Sequence, residues 1–513
     1  MLRLDIEKIN LGTQVLMTHG PGQVSVASIT QDSRRAIPQS CFAAICGLHA
    51  DGHSYISDCV QAGSSLILHE KPFDPAWTTE PATASFIQVK DVRRAFSALS
   101  ALLYGHPSTS MYVIGITGTD GKSTTVSLLH QLLQECGLKA GFLSTVSMHD
   151  GITLKKNSLR QSTPEADQIH QRLAEMRDNG CTFAVIEATS HGLSPKTARL
   201  ADVVFQAGIF TNITHEHLEF HGTFDQYKYD KGELFRRAQA HVILNADDPH
   251  SIDMAAQANA PVTWYATTTS IAPSADLWAE EIESEPSGSS FTLCVSSQRY
   301  RTSTQLTGEV NIANILAAAA AAHRCADIPP EQLASVIPRL QGPRGRMMRI
   351  DHDQPFSLFV DYAHTPGSFE KLLPMLRGIT SNRLIIVFGS AGERDTAKRP
   401  MQGKIADRYA DIIILTDEDP RAEDPMQILK DIAGGISSKA AGENLFFIPD
   451  RRSAIEHACK TAQPGDLIIT LGKGHEGNIQ YADVSIPWDE PEVVHDILSG
   501  LGYSRRESEC VQQ

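Results

Sequence analysis

One stretch of the sequence combines a glycine-rich turn with a lysine and two hydroxyl side chains. An apolar run predicts a buried strand, the turn Gly118-Thr-Asp-Gly121 follows, and a helix is predicted to begin at Lys122. In such an arrangement backbone N–H groups and the positive helix end meet a phosphate, the lysine reaches its outer oxygens, and a hydroxyl can ligate Mg²⁺. The hydroxyl would belong to Ser123 or Thr124. The stretch therefore predicts a variant phosphate-binding loop, since Gly115 lies one residue too early for the usual spacing.

A second group of residues could hold a metal ion. Glu187 ends an apolar strand, and the segment from Thr211 to Gly222 holds three histidines and two glutamates directly after another strand. Solvated loop histidines would explain that segment equally well if it stood alone. Carboxylate and imidazole groups beside a phosphate loop are, however, suitable ligands for Mg²⁺ or Mn²⁺. The two features together favour a metal site.

Charged, glycine-rich loops end four of the five strands predicted in the last third of the chain. Because the carboxyl ends of parallel strands meet at one edge of a sheet, these loops should converge on a ligand. Lys398 and Arg399 follow the second loop. No G-x-G-x-x-G turn follows the first strand, which disfavours NAD. The four loops are Asp361 to His364, Gly389 to Asp395, Thr416 to Arg421 and Leu471 to Glu476.

Composition excludes several classes of protein. The formal net charge of −15 argues against a nucleic-acid partner. The nine cysteines are scattered without a C-x-x-C pair, so neither a disulfide framework nor a zinc site is indicated. No run reaches the ~18 apolar residues that a membrane helix needs, and the first residues lack an apolar signal core. We therefore expect a cytoplasmic protein with no membrane partner.

The length of 513 residues predicts about three domains, and strands alternate with helices throughout. The predicted class is α/β. Residues 1–108 should form a small α/β domain, 109–340 a central parallel-sheet ATPase domain with the phosphate loop, and 341–513 a Rossmann-like domain. A small antiparallel insert in the central domain is predicted as a hairpin of Phe291–Val295 with Arg299–Thr302.

With these motifs in this order, the chain resembles the Mur ligases, most closely the MurE type, which joins a diamino acid to UDP-N-acetylmuramoyl-L-alanyl-D-glutamate. The resemblance covers nearly the whole chain. It is carried by Asp32-Ser-Arg34, Gly118 to Thr124, Ser162-Thr-Pro-Glu165, Glu187 to Leu193, Thr211 to His217, Tyr227 to Lys231, Asn311 to Asn314, Gly345-Arg-Met347, Asp361 to Pro366, Arg394-Asp395, Asp419-Pro-Arg421 and Gly472 to Glu476.

The resemblance implies an ATP-dependent ligase that activates a carboxylate as an acyl phosphate, which an amine then attacks. The implied cofactors are ATP and Mg²⁺. The implied catalytic residues are Lys122, Glu187, His217 and Lys231, and the implied metal ligands are Ser123, Glu187, His217 and a carbamoylated Lys231. ATP would be bound by Gly118, Thr119, Asp120, Gly121, Lys122, Ser123, Thr124, Asn311, Asn314, Arg346 and Asp361.

The resemblance also implies a first domain for the uridine nucleotide, a third domain for the free diamino acid, and a monomer. The UDP-N-acetylmuramoyl-dipeptide would contact Ser33, Ser162, Thr163, Thr189 and Thr197. A Gln-x-Arg pair of the family is replaced here by Pro195 and Thr197, for which Lys196 or Arg199 could substitute. The diamino acid would contact Arg394, Glu418, Asp419, Pro420, Arg421, Gly472 and Glu476.

Two residues give opposite indications about the diamino acid. Arg421 suits a distal carboxylate and favours meso-diaminopimelate. Asp419, where diaminopimelate-adding relatives carry Asn, would repel that carboxylate and suits the bare ammonium of lysine or ornithine. We favour a basic amino acid without the distal carboxylate.

Two alternatives remain open from the sequence. A folylpolyglutamate synthase-like ligase would not need the first domain, and the Asp32-Ser-Arg34 loop argues against it. A non-catalytic nucleotide-binding scaffold would not need Glu187, His217 and Lys231 beside the phosphate loop.

Overall fold

The computed structural model describes residues 1–47, 50–78, 83–157, 162–214, 216, 218–268 and 274–505. The chain forms two compact units, one of Met1–Tyr265 with Ala317–Pro329 and the other of Ala266–Leu316 with Pro330–Gln513. Both units are mixed α/β with parallel sheets, so the predicted class is confirmed. The division into three domains stays a prediction.

The first unit begins with a five-stranded sheet in the order β2-β7-β6-β5-β4, in which only β2 is antiparallel to its neighbour. A two-stranded ribbon of β1 and β3 accompanies it. The strands are β1 Leu2–Asp5, β2 Val15–His19, β3 Gln23–Val26, β4 Ser28–Thr30, β5 Ser40–Ala43, β6 Leu66–His69 and β7 Ser85–Val89, and the helices are α1 Ile56–Gln61 and α2 Val92–Leu103.

Eight further strands follow in the spatial order β11-β10-β9-β12-β8-β13-β14-β15, and the six from β9 to β15 run parallel. The strands are β8 Tyr112–Thr117, β9 Ala140–Leu143, β10 Ser147–His149, β11 Leu154–Lys156, β12 Phe183–Glu187, β13 Ala207–Phe210, β14 His241–Asn245 and β15 Val262–Ala266. The helices are α3 Lys122–Glu135, α4 Ala166–Asp178, α5 Ser190–Leu193, α6 Leu218–His221, α7 Phe224–Arg237 and α8 Ser251–Ala255.

Strand β8 is central in this sheet because its residues are apolar on both faces. Val113, Ile114 and Ile116 are fully buried, and β12 and β13 pair with β8 on either side. Helix α3 then packs its apolar residues into the core, namely Val126, Leu128, Leu129, Leu132 and Leu133. The phosphate loop therefore leaves the middle of the sheet, between the carboxyl ends of two neighbouring strands.

The second unit contains the predicted antiparallel hairpin, and a third strand that was not predicted extends it to a meander. The missed strand is Leu277–Glu285, whose outer half alternates exposed acidic residues with partly buried ones and lacks an apolar run. The meander consists of β16 Leu277–Glu285, β17 Gly288–Val295 and β18 Gln298–Thr304, followed by α9 Glu309–Ala326 and α10 Pro330–Val336.

A six-stranded sheet in the order β19-β20-β24-β21-β22-β23 follows in the second unit, with every pair parallel except β19 with β20. Buried apolar residues form a core on each face, as expected for a Rossmann-like sheet. The elements are β19 Met348–Arg349, β20 Ser357–Val360, α11 Pro366–Ile379, β21 Leu384–Phe388, α12 Lys398–Tyr409, β22 Ile412–Leu415, α13 Pro425–Ala433, β23 Leu445–Phe447, α14 Arg451–Thr461, β24 Leu467–Thr470, β25 Asn478–Gln480, β26 Ser485–Pro487 and α15 Glu490–Gly500.

Two basic residues that the sequence groups with a ligand loop belong to a helix instead. Lys398 and Arg399 begin α12, and Arg399 is 1% exposed. Its guanidinium pairs with Glu423 at 2.8 Å and with Asp431 at 2.9 Å. Arg399 is thus a packing residue that joins α12 to α13. Over the part of the chain that is described, none of the helices is long and apolar enough to cross a membrane.

A buried ion pair supports the carboxyl edge of the six-stranded sheet. Arg451 and Glu490 are both fully buried, and the guanidinium donates to both carboxylate oxygens, at 2.8 and 2.5 Å. Arg451 also donates to the carbonyls of Asp417 and Leu471, at 3.0 and 2.8 Å. One guanidinium therefore fixes the starts of two of the loops that the sequence singles out.

Replacing Glu490 with glutamine should leave the Arg451 charge buried without its anion. We expect Glu490→Gln to lower the free energy of unfolding by about 3–5 kcal/mol, measured by urea denaturation. The control is Glu456→Gln, which breaks the exposed pair with Lys460 and should change stability by less than about 0.5 kcal/mol. Equal effects of the two substitutions would contradict this account of the edge.

Candidate active site

The predicted phosphate loop adopts a conformation that requires glycine at its first position. Gly118 has φ +155°, and a Cβ there would overlap the Thr211 hydroxyl. Asn212 holds the loop from the neighbouring strand end, because its carbonyl accepts from Thr119 N at 2.7 Å and its side-chain oxygen accepts from Asp120 N at 3.1 Å. The loop is therefore supported by residues that follow β13.

Two lysine side chains converge on this loop. The ammonium of Lys122 donates to the carbonyls of Gly118 and Thr119, at 3.0 and 2.8 Å, and the ammonium of Lys231 donates to the same Gly118 carbonyl at 2.6 Å. Lys231 comes from α7 and is 1% exposed. The ammonium of Lys122, beside the backbone N–H groups of the loop, creates a site that favours an anion.

The environment of Lys231 disfavours its charged form. Burial, and next the charge of Lys122, lower the pKa of Lys231 well below its usual value, although Glu216, Asp120 and Glu187 act in the opposite direction. The ring of Tyr227 lies 4.6 Å from the Lys231 nitrogen. A neutral amine is the nucleophilic form of lysine, so this site is suited to covalent modification of Lys231.

Glu187 and Ser123 are in direct contact. The Ser123 hydroxyl donates to Glu187 Oε2 at 2.8 Å, and Thr145 N donates to the same oxygen at 2.8 Å. Both residues are buried. Hydroxyl and carboxylate oxygens are donors that fit Mg²⁺. His217, the predicted histidine ligand, lies outside the described residues, and within the described ranges no three His, Cys, Asp or Glu side chains come together as a metal site.

Several predicted substrate residues lie around the backbone of Glu187. Thr163 Oγ1 lies 3.0 Å from the Glu187 carbonyl, to which it donates, and 2.8 Å from Thr189 Oγ1. Ser162 directly precedes Thr163, in the loop before α4. Ser33 lies in a separate 3₁₀ turn of residues 33–35, whose Arg35 approaches Asp167 of α4 at 3.8 Å.

Arg199 contacts the Ser162–Glu165 segment, whereas the Thr197 hydroxyl is hydrogen-bonded within its own turn. Thr197 Oγ1 donates to the carbonyls of His191 and Ser194. The Arg199 guanidinium pairs with Glu165 at 2.7 Å and donates to the Thr163 carbonyl at 3.1 Å. Arg199 thus supports the Ser162–Glu165 segment, and the role of Thr197 in substrate binding stays a prediction.

The remaining predicted nucleotide residues belong to the second unit. Asn311 and Asn314 lie one turn apart on α9, and Asn311 donates to the Thr307 carbonyl at 2.9 Å. The Arg346 guanidinium lies 4.4 Å from the ring centre of Tyr362. Asp361 accepts from the backbone nitrogens of Met347 and Ala363, at 2.6 and 2.7 Å, so Asp361 and Arg346 are held beside each other.

The predicted amino-acid residues also cluster in the second unit, around a lysine that the sequence analysis missed. The buried ammonium of Lys473 donates to Asp419 Oδ1 at 2.9 Å and to Glu476 Oε2 at 2.6 Å. Gly472 has φ +100°, and a Cβ there would lie 3.0 Å from Glu418 Oε2. Burial raises the pKa of Glu418, while Lys398 acts in the opposite direction.

Two loops meet beside this cluster. The carbonyl of Asp419 accepts from Gly392 N at 2.8 Å, which joins the loop of the exposed Arg394 to the segment that continues through Pro420. Arg421 has φ +55° and donates its backbone N–H to the Gln480 carbonyl at 2.9 Å. Lys473 and Arg451 were not identified from the sequence. Each is a fully buried cation, so only its need for a partner of opposite charge could have pointed to it.

Comparisons with known proteins agree with this geometry. Residues 116–322 match the Mur ligase middle domain, and residues 345–474 match the domain described as Mur ligase, glutamate ligase domain. The UDP-N-acetylmuramyl-tripeptide synthetase of Roseiflexus sp. (strain RS-1) is 42% identical over 501 residues, covering 94% of this chain and 96% of that protein. The UDP-N-acetylmuramoyl-L-alanyl-D-glutamate--2,6-diaminopimelate ligase of Halalkalibacterium halodurans is 35% identical, covering 93% and 95%.

Solved structures show the same architecture. A UDP-N-acetylmuramoyl-L-alanyl-D-glutamate--2,6-diaminopimelate ligase superposes with a TM-score of 0.66 at 27% identity, covering 93% of this chain and 96% of that chain. A folylpolyglutamate synthase of Mycobacterium tuberculosis shares the fold at 16% identity with a TM-score of 0.59, but covers only 73% of this chain. The match of the curated relatives over nearly the full length shows that the chain belongs to the Mur ligase family.

Proposed function

We propose that this chain joins a free diamino acid to UDP-N-acetylmuramoyl-L-alanyl-D-glutamate, with conversion of ATP to ADP and phosphate, in the synthesis of peptidoglycan precursors. Mur ligases are ATP-dependent amide ligases, so a non-catalytic scaffold is not supported. The observation that carries the proposal is that Lys122 and Lys231 both donate to the Gly118 carbonyl. Directly after this loop, the Ser123 hydroxyl donates to Glu187. We further propose that the protein is a monomer in the cytoplasm.

The chemistry explains why positive charge is gathered at this loop. A carboxylate is a poor electrophile, so the γ-phosphoryl group of ATP is first transferred to a carboxylate oxygen of the dipeptide. The amine of the diamino acid then attacks the acyl carbon, the amide bond forms, and phosphate leaves with that oxygen. Both steps concentrate negative charge at the reacting phosphate, which Lys122 and the backbone N–H groups of the loop stabilise.

Mg²⁺ would be held by Ser123, Glu187, His217 and a carbamoylated Lys231, and would neutralise phosphate oxygens when bound. Carbamoylation forms a bond between the neutral Lys231 nitrogen and the carbon of CO₂ and releases one proton. It converts a buried neutral amine into an anion that faces Lys122. The lowered pKa of Lys231 supports this reaction, because it makes the neutral amine available.

The second unit supports a basic diamino acid, but for a different reason from the one the sequence offers. The charge of Asp419 is offset by Lys473 at 2.9 Å, so Asp419 alone no longer argues against a distal carboxylate. Glu418 Oε2, in contrast, is buried and accepts no hydrogen bond from the described residues. An ammonium group of lysine or ornithine would supply the missing donor.

A ligation assay that offers lysine, ornithine and meso-diaminopimelate together, with mass analysis of the product, tests the amino acid. We expect addition of lysine or ornithine, and Glu418→Gln should raise KM for that amino acid by about tenfold or more. The exposed Glu443→Gln is the matched control and should leave KM unchanged. Exclusive addition of meso-diaminopimelate would contradict the amino-acid assignment. Activity with folate as the acceptor, and none with UDP-N-acetylmuramoyl-L-alanyl-D-glutamate, would contradict the proposed acceptor.

Lys231→Ala should reduce ligation by at least ~100-fold, and high bicarbonate should not restore it, because the amine that receives CO₂ is gone. In parallel, ¹³C NMR of wild-type enzyme in ¹³C-bicarbonate should show a carbamate signal. Lys231→Arg, which keeps the charge but cannot form the carbamate, should lack that signal. An unaltered rate in Lys231→Ala would remove the carbamate from the proposal.

A further inference from the structure

Three buried polar side chains form a continuous hydrogen-bonded chain beside the proposed metal site. Ser190 Oγ lies 3.0 Å from His221 Nε2, and His221 Nδ1 lies 2.7 Å from Asp230 Oδ2. Their exposed fractions are 2%, 3% and 0%. None of the three has a role in the proposed reaction, yet burying so many polar atoms is costly unless all are paired.

The chemistry of the groups fixes the direction of the hydrogen bonds. A carboxylate accepts, so His221 donates its Nδ1–H to Asp230, and in the neutral imidazole Nε2 then accepts from the Ser190 hydroxyl. Gln226 donates to the other Asp230 oxygen at 2.9 Å, which holds the carboxylate in place. Because Ser190 is buried, the arrangement is not that of an exposed nucleophile.

Two members of the chain adjoin residues of the proposed metal site. Asp230 precedes Lys231 on α7, which fixes the face of the helix that reaches the Gly118 carbonyl. Ser190 lies three residues after Glu187, at the start of α5, and His221 is the last residue of α6.

A second contact joins two of these elements at the same place. The ring of His191 lies 4.1 Å from that of Phe220 and 5.3 Å from that of His221. The segment after β12 and the residues of α6 are therefore in contact by packing as well as by hydrogen bonding. The hydrogen-bonded chain extends this contact to α7.

We propose that Ser190, His221 and Asp230 form a positioning relay that sets the placement of the segment directly after Glu187 relative to helix α7, which carries Lys231. This inference rests on the proposed metal site. The relay touches no substrate. It orients the ligands by holding their backbones, as outer-shell hydrogen bonds do in other metal sites.

The test measures binding of Mn²⁺ to the full-length protein with ADP present, by electron paramagnetic resonance. Ser190→Ala removes one hydroxyl and should raise the Kd for Mn²⁺ by about tenfold or more, while the Kd for ADP without metal changes less than about twofold. Ser100→Ala, which removes a buried hydroxyl bonded to the Phe96 carbonyl within α2, is the matched control and should leave both constants unchanged.

Two further variants separate positioning from loss of folding. Ser190→Thr keeps the hydroxyl and should restore Mn²⁺ affinity to within about threefold of wild type. His221→Asn keeps a donor for Asp230 but cannot reach Ser190, so it should match Ser190→Ala. If Ser190→Ala and His221→Asn bind Mn²⁺ as wild type does, the relay is overturned although the metal site stands. If wild type itself binds no Mn²⁺, the proposed metal site fails and the relay with it.

Discussion

The contact on which the rest of this site depends is the meeting of two lysine side chains at one backbone carbonyl. Lys122 and Lys231 both donate to Gly118, and one of them is almost completely buried. Two charged ammonium groups so close would repel each other, which is one reason why Lys231 favours its neutral form. Parallel pairing places the loop at this point, because β12 and β13 flank β8 and bring Glu187 and Thr211 to the same edge. Lys122 and the backbone N–H groups of the loop then supply the positive charge that an ATP-dependent ligase needs before its substrates arrive.

In the second unit the excess charge is negative, because several acidic groups lie where an amino acid is proposed to bind. Lys473 lies between Asp419 and Glu476 and offsets part of their charge, while Glu418 keeps one oxygen without a donor among the described residues. Arg451 holds the carbonyls of Asp417 and Leu471, from which these loops begin. Buried cations therefore determine both the shape of the loops and the charge that they present.

The sequence was sufficient wherever the signal is local. The strand, glycine turn and lysine of the phosphate loop are contiguous, and α3 begins at Lys122 as predicted. Strand β16 was harder to predict, because its acidic outer half lacks an apolar run. From the sequence, Arg399 was grouped with the ligand loop that it follows, because its partners, Glu423 and Asp431, lie further along the chain.

Contacts between distant residues could not be predicted for the same reason. Ser190 and His221 are 31 positions apart, and the sequence analysis attributed the histidines after β13 either to metal binding or to solvated loops. The structure places His221 in neither role, since it is buried between a serine and an aspartate. The balancing of Asp419 by Lys473 likewise depends on the loops after β22 and β24, which lie on either side of β21 in the folded sheet.

The central claim is that the phosphate loop after β8, with Lys122 and Lys231 beside it, activates a carboxylate by directing its phosphorylation. The most direct measurement uses acceptor whose reacting carboxylate carries ¹⁸O in both oxygens, with mass analysis of the phosphate released during ligation. Because the bond between that oxygen and phosphorus persists when the amine attacks carbon, each phosphate should contain one ¹⁸O atom. Phosphate released without ¹⁸O while the amide product accumulates would contradict the claim.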